Sequence, residues 1–390
     1  MKRIHLCLVV AASVVLAACS AGNQITGPMG HNTSAAPSGP AAAASGPARY
    51  IVGLRPRAAV ADISALTSTL STPPLYTYST ALKGFAAVLS PAEKARLAAD
   101  PRVSYVEPDL PATIFAQTLP WGVDRIDAEQ NTGSGGSGIG VAVIDTGIDL
   151  THPDLAGGVV NGYNFVQPNK SANDDNGHGT HVAGIIAARN NSIGVVGVAP
   201  QCTVIAVKVL DRNGSGYIST VVAGVNWVAA HQAAYNIKVA NMSLGAQGTS
   251  QSLQNAITGA TNAGVTFVVA AGNSFADASA FIPASYPNVI CVSALNQSDG
   301  FAYFSNYGSV VDLIAPGVNI PSLYKNHGYA TLSGTSMASP HVAGAAALWF
   351  DNHSGGFTDV YNALTSGGEY GTWLGDPDGT YEPLVDAQPL

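Results

Sequence analysis

Three separated segments of this chain carry residue types that together could make a nucleophilic relay. Gly140-Val141-Ala142-Val143-Ile144 is an unbroken apolar run that ends on Asp145-Thr146-Gly147. That is the pattern of a buried strand with an acid at its carboxyl end, where α/β sheets place their sites. Asn176-Gly177-His178-Gly179-Thr180-His181-Val182-Ala183-Gly184 puts an imidazole between two glycines and runs into an apolar helix. The glycines let other backbone and substrate come close. Gly334-Thr335-Ser336-Met337-Ala338-Ser339-Pro340-His341-Val342-Ala343-Gly344 begins a helix of small residues, with Ser336 at the positive end of its dipole. A carboxylate that orients, an imidazole that takes a proton and a hydroxyl that attacks are the parts of acyl-transfer chemistry. Taken singly, each segment has a plainer explanation. Ser336 or Thr335 would be an N-cap, His341 and Ser339 packing residues, and His178 with His181 a zinc pair. The zinc explanation lacks the glutamate base or further ligands that such a helix carries.

These groups need strands and helices to position them. Apolar runs at 141–144, 203–209, 239–243, 266–271 and 289–294 alternate with helical segments. This predicts an α/β domain, a mostly parallel sheet flanked by helices on both faces. Val268-Val269-Ala270-Ala271-Gly272-Asn273 is one of these runs and ends in a small-residue turn, where Asn273 by itself reads as a cap. Residues 49–109 form a separate pattern: strand 49–54, helix 60–70, strands 75–78 and 84–89, helix 91–99, strand 103–106. Ser90 and Glu93 make a capping box with Pro91 at the first helical position. The order βαββαβ is a small α+β split-βαβ unit.

The chain has 390 residues, 47% of them apolar and 10% charged. The charged share is far below the ~25% of an average domain, which excludes a basic nucleic-acid face. Nine Lys/Arg and five Asp/Glu fall in 1–115, seven and nineteen in 116–390. A basic leader part thus precedes an acidic main part. After Lys2 and Arg3, the apolar run 4–18 is 15 residues long. It is short for a span of ~20 and suits a signal-peptide core. It ends Leu16-Ala17-Ala18-Cys19, similar to the lipobox of bacterial lipoproteins, in which the cysteine is lipidated. An ordinary signal-peptidase site at the same small residues is the alternative. Residues 20–48, rich in Ala, Ser, Gly and Pro, read as a flexible linker. Cys202 and Cys291 remain for the folded part. They could pair in an exported protein or stay as buried thiols; their strand-like surroundings favour the unpaired state.

The order Asp145, His178, Ser336 and the three motifs resemble the subtilisin family of serine proteases over roughly residues 49–350. The resemblance implies a subtilisin-like fold and a secreted serine endopeptidase working through an acyl-enzyme. By the same resemblance Asn273 donates its amide to the oxyanion, together with the backbone N–H of Ser336. Gly214-Ser215-Gly216 and Ser243-Leu244-Gly245 resemble the two edge segments that pair with extended substrate. Ala246-Gln247 and Ser274 depart from common family residues and leave the side-chain preference open. Arg189-Asn190-Asn191-Ser192-Ile193-Gly194-Val195 resembles the loop of the strong calcium site. The implied ligands are the Asn191 side chain, the carbonyls of Arg189, Ile193 and Val195, the Asp154 carboxylate and the Gln117 side chain. Oxygens with a single charge suit calcium, while a plain helix-terminating loop is the alternative.

Segments 84–90 and 103–109 resemble the inhibitor-type propeptide of the same family, implying an intramolecular chaperone and inhibitor. The expected division is signal peptide 1–19, linker 20–48, propeptide 49–115 and peptidase 116–390. The resemblance fades after about 351, where a helix at 357–364 and a loose or processed segment 371–390 are expected. Gln117 can reach the loop only if the chain is cut just before it, so self-cleavage is placed between Phe115 and Ala116. That cut would release a soluble, monomeric enzyme from a lipid-anchored precursor, with protein and peptide substrates. The competing expectation is a non-catalytic surface lipoprotein that binds peptides or proteins on the same scaffold. A serine enzyme of acyl transfer rather than hydrolysis is a third.

Overall fold

The computed structural model describes residues 13–14, 46–110 and 116–390. Cys19 and Phe115 lie outside the described residues, as do most of the signal and linker. The described residues fall into two compact units, the smaller containing 46–110 and the larger 116–390.

The smaller unit runs β1 (Ala48–Leu54), α1 (Ala61–Thr67), β2 (Tyr76–Tyr78), β3 (Gly84–Leu89), α2 (Pro91–Ala98) and β4 (Val103–Pro108). Its sheet is antiparallel, in the order β2-β3-β1-β4. Val52 and Leu54 of β1, and Phe85, Ala87 and Leu89 of β3, face one side by the two-residue strand period. They pack with Ile63, Leu66 and Leu97 of the helices into one core. The capping box at the start of α2 is formed: Ser90 Oγ accepts from Glu93 N at 3.3 Å, and Glu93 Oε2 from Ser90 N at 2.9 Å.

The larger unit is built on a seven-stranded sheet. Its main elements are β5 (Gly140–Asp145), β6 (Val159–Asn164), α3 (His178–Ala187), β7 (Thr203–Lys208), α4 (Ile218–His231), β8 (Ile237–Met242), α5 (Gln251–Asn262), β9 (Thr266–Ala270), β10 (Ile290–Leu295), β11 (Leu313–Pro316), β12 (Ile320–Tyr324), β13 (Gly328–Leu332), α6 (Thr335–Asn352) and α7 (Phe357–Gly367). The strand order is β11-β10-β9-β8-β5-β7-β6, and every pairing is parallel. Alternation along β5 explains the layers. Val141 and Val143 face the core shared with α3 and α6, while Ala142 and Ile144 face the core shared with α4 and α5. Both faces are covered, so each central strand reads as continuous apolar sequence. The order reverses beside β5, and the carboxyl ends of neighbouring β5, β8 and β9 open onto one crevice.

The C-terminal segment differs from expectation. Residues 371–390 are packed, not loose. Val385 N donates to Ile314 O at 3.2 Å, and Ala387 N to Ile126 O at 2.8 Å. Asn131 Nδ2 holds the carbonyls of Ala387 (2.9 Å) and Leu390 (2.8 Å). Trp373, Leu384, Val385, Ala387 and Leu390 are buried. Tertiary contacts order this segment, so no local period marks it in the sequence.

Candidate active site

Asp145 is the last residue of β5 and fully buried. Its carboxylate lies 2.9 and 3.0 Å from His178 Nδ1, and Oδ1 also accepts from Thr146 N at 2.6 Å. A ring nitrogen facing a carboxylate carries the proton, which makes Nε2 the acceptor. Among the described residues Nε2 meets no hydrogen-bond partner. Burial alone would lower the His178 pKa. The charge of Asp145, the hydrogen bond to it and the charge of Asp174 overcome burial, and the net shift is upward.

His178 opens α3, and Asp174 locks that helix start. Asp174 accepts from the N–H groups of Asn176 (2.9 Å), Gly177 (2.9 Å) and Thr180 (3.0 Å) and from the hydroxyls of Thr146 (2.9 Å) and Thr180 (2.6 Å). Thr146 Oγ1 in turn accepts from Gly179 N at 2.9 Å. The end of β5 and the start of α3 are therefore stitched together. Gly179 is required here, because a Cβ would stand 2.1 Å from the Gly147 carbonyl. Lys208, opposite Asp145 in the β5–β7 register, is buried. Its ammonium reaches Thr146 O (2.6 Å), Leu210 O (2.7 Å) and Asp175 Oδ1 (2.7 Å). Sequence reasoning missed Asp174, Thr146 and Lys208. The signal available was the Asp-Asp pair just ahead of the Gly-His-Gly segment.

Ser336 is the second residue of α6. Its hydroxyl donates to Ser243 O at 3.3 Å, and no hydrogen bond joins it to His178. Pro340 explains how the start of α6 is held. A helix residue at that position normally donates to the carbonyl four residues back, but proline has no N–H. The freed Ser336 carbonyl accepts instead from Ser243 Oγ at 2.8 Å. Asn241 Nδ2 donates to Ser243 Oγ (3.0 Å), and Ser339 Oγ to Asn241 Oδ1 (2.7 Å). This buried polar chain ties α6 to the end of β8.

Asn273 follows β9. Its Oδ1 accepts from Thr335 N (2.8 Å) and Thr335 Oγ1 (2.9 Å), which fixes the amide with Nδ2 on the other side. A methyl placed on Gly334 would stand 3.3 Å from Asn273 Nδ2 and 3.6 Å from Ser336 N. The two donors therefore flank one point. Beside them lies a recess whose lining includes Ser243, Leu244, Gly245, Gly272, Asn273 and Ser336 and carries no charged side chain. The second edge segment is Gly214-Ser215-Gly216, and Ser13–Val14 pair antiparallel with Gly216–Tyr217. That edge can thus pair with an added strand.

Asp154, fully buried, accepts from Asn191 Nδ2 (2.8 Å) and Val195 N (3.0 Å). Gln117 Nε2 donates to Arg189 O (2.5 Å) and Val195 O (3.0 Å), and Asn191 N to Gln117 Oε1 (3.1 Å). The structure gathers Gln117, Asp154, Arg189, Asn191 and Val195, while Ile193 joins through its N–H to Asn191 Oδ1 (2.7 Å). Gln117 makes these contacts in the uncut chain, so, contrary to the expectation from the sequence, reaching the loop does not itself require the cut. Burial raises the Asp154 pKa, although Val195 N, Asn191, His152 and Tyr329 oppose it. A buried carboxylate beside the carbonyls of Arg189 and Val195 fits a hard cation, with the Gln117 and Asn191 amides turned to present their oxygens in place of the Nε2 and Nδ2 that face inward here. Among the described residues no group of three or more His, Cys, Asp or Glu stands ready to hold a metal; the set around Asp154 contains one acid. His181 is not a metal ligand partner of His178. Its Nε2 lies 3.1 Å from the carbonyls of Ile320 and Ala330. Cys202 and Cys291 are separate buried thiols, and burial pushes Cys202 up to about 12.

Residues 136–360 match the model of the Subtilase family, and residues 49–114 that of Peptidase inhibitor I9. The chain is 49% identical over 262 residues to an alkaline protease of Alkalihalobacillus alcalophilus, covering 67% of each. It is 50% identical over 235 residues to subtilisin Savinase of Lederbergia lenta, covering 60% of this chain and 84% of the relative. A solved cold-adapted subtilisin-like serine proteinase superposes with a TM-score of 0.62 at 42% identity, over 68% of this chain and 97% of that one.

Proposed function

Because the chain belongs to the subtilase family of serine proteases, we propose that it is an exported endopeptidase whose relay is Asp145, His178 and Ser336. The observation that carries this reading is the His178 ring, held by Asp145 through Nδ1 and presenting an unpartnered Nε2. The Ser336 hydroxyl turns from the Ser243 carbonyl to Nε2 and gives up its proton there. Its oxygen attacks the scissile carbonyl, and Asn273 Nδ2 and Ser336 N–H hold the resulting oxyanion. The imidazolium, stabilised by Asp145, returns the proton to the leaving amine. Water then repeats the sequence on the acyl-enzyme. Ser243-Leu244-Gly245 and Gly214-Ser215-Gly216 bind substrate main chain, and the uncharged recess takes an apolar side chain before the cut.

The inhibitor-type segment accompanies the peptidase as its own chaperone and inhibitor, and the enzyme frees itself by cutting between Phe115 and Ala116. The signal core and Cys19 direct export and lipid anchoring of the precursor, and the cut releases a monomer. Calcium fits the loop of Asp154, Asn191, Gln117 and the carbonyls of Arg189, Ile193 and Val195. When bound it would neutralise the buried Asp154 charge and fasten the new N-terminal segment. Purified protein should hydrolyse peptides with an apolar residue before the cut, and Ser336→Ala should abolish this. Undiminished hydrolysis by Ser336→Ala would contradict the reading.

A further inference from the structure

The packed C-terminal segment contains a turn that the protease chemistry does not use. Asp376-Pro377-Asp378-Gly379-Thr380-Tyr381-Glu382 places oxygen-bearing side chains at every second position. Buried Trp373 and Leu384 anchor it on both sides. Trp373 Nε1 donates to Glu382 O at 2.7 Å, and Asp376 N to Trp373 O at 3.1 Å.

Glu382 is 5% exposed, and neither of its carboxyl oxygens has a hydrogen-bond partner in any other residue. Asp376 Oδ2 is enclosed and unpartnered as well. A buried carboxylate without a partner is strongly disfavoured, and a second one beside it is worse. No described cation pairs with either group: Arg125, which reaches this segment, is held by Asp299 and Glu369. From residue 326 to 390 the sequence has seven acids (Asp351, Asp359, Glu369, Asp376, Asp378, Glu382, Asp386) and no Lys or Arg. Burial, with the charges of Asp376, Asp378 and Asp312, pushes Glu382 up to about 8; its own backbone N–H offsets this only in part. Asp376 is also raised, by burial and by Asp378.

We propose that residues 376–382 hold a divalent cation of the calcium class, ligated by the Asp376 and Glu382 carboxylates and completed by neutral oxygens of the turn and solvent. Oxygen donors alone, with no His or Cys in the turn, select a hard cation. The site rests on two carboxylates, since among the described residues no group of three or more His, Cys, Asp or Glu stands ready to hold a metal. The ion would staple the segment that pairs with Ile314 of β11 to the sheet edge. This site is separate from the loop around Asp154 and does not depend on it.

The processed chain, inactivated with phenylmethylsulfonyl fluoride and stripped with chelator, is titrated with calcium by calorimetry. The wild type should bind one calcium equivalent more than Glu382→Gln, and Asp376→Asn should lose the same equivalent. Asp154→Asn should keep it, so failure of the loop assignment is distinguishable from failure of this one. Hydrogen exchange of wild-type peptides spanning 371–390 should slow when calcium is added, a readout that needs no variant. Equal stoichiometry in Glu382→Gln and wild type would overturn the proposal. So would tail exchange indifferent to calcium, or a Glu382→Gln chain stabilised equally in calcium and chelator, which would mark a buried acid.

Discussion

At the scale of the residue, the proposed function turns on how one imidazole is held. Asp145 and Asp174 raise the His178 pKa against the effect of burial. The base must be neutral to accept a proton, so kcat/KM should fall as pH drops through a value above the ordinary ~6.5. Asp174→Asn removes one of the two charges, so the acid limb should move to lower pH. Profiles of kcat/KM for both proteins check this, and an unmoved limb would contradict the assigned coupling. Asp145→Asn should lose ~10⁴ in turnover, a magnitude established for serine proteases rather than obtained from this geometry. Asp145, His178 and Ser336, the proposed acid, base and nucleophile, stand out in the sequence because each sits in a long motif of small residues. Asp174 and Lys208 do not. An Asp-Asp-Asn-Gly run reads as a turn, and a lysine ending an apolar strand reads as a solvated end. Only the fold brings them behind Asp145.

At the scale of the element, the start of α6 depends on a donor from outside the helix. Ser243→Ala leaves the buried Ser336 carbonyl unpaired, because Pro340 cannot supply an N–H. Chemical denaturation of the inhibited enzyme should show a loss of about 1–3 kcal/mol; an unchanged midpoint and slope would refute the role given to this bond. The loop between α3 and β7 carries a second expectation. Chelator should lower the wild-type Tm, and added calcium should raise the wild type by more than it raises Asp154→Asn, which lacks the loop site. The strands β5, β7, β8, β9 and β10 were readable as apolar runs because both faces of each are covered. β6 and β11 were not. Val159–Asn164 is half polar at a sheet edge, and Leu313–Pro316 is a four-residue edge strand ending in proline, which edges tolerate.

At the scale of the whole molecule, the chain joins a βαββαβ unit to a parallel-sheet peptidase, and its last residues pack on the far edge strand. The order of the small unit was readable from strand and helix periods and one capping box. The packing of the tail was not, since Trp373, Leu384 and Val385 are too sparse to set a period. Self-processing gives the molecule-level expectation. Wild-type enzyme should begin at Ala116, whereas Ser336→Ala should stay full length on membranes. An N-terminus well beyond Gln117 would remove a calcium ligand and contradict both assignments. The most direct measurement is labelling with a fluorophosphonate probe, followed by peptide mass mapping. One adduct is expected, on Ser336, and His178→Ala should lose it. A folded, processed wild type that takes no label, or takes it on another serine, would contradict the account.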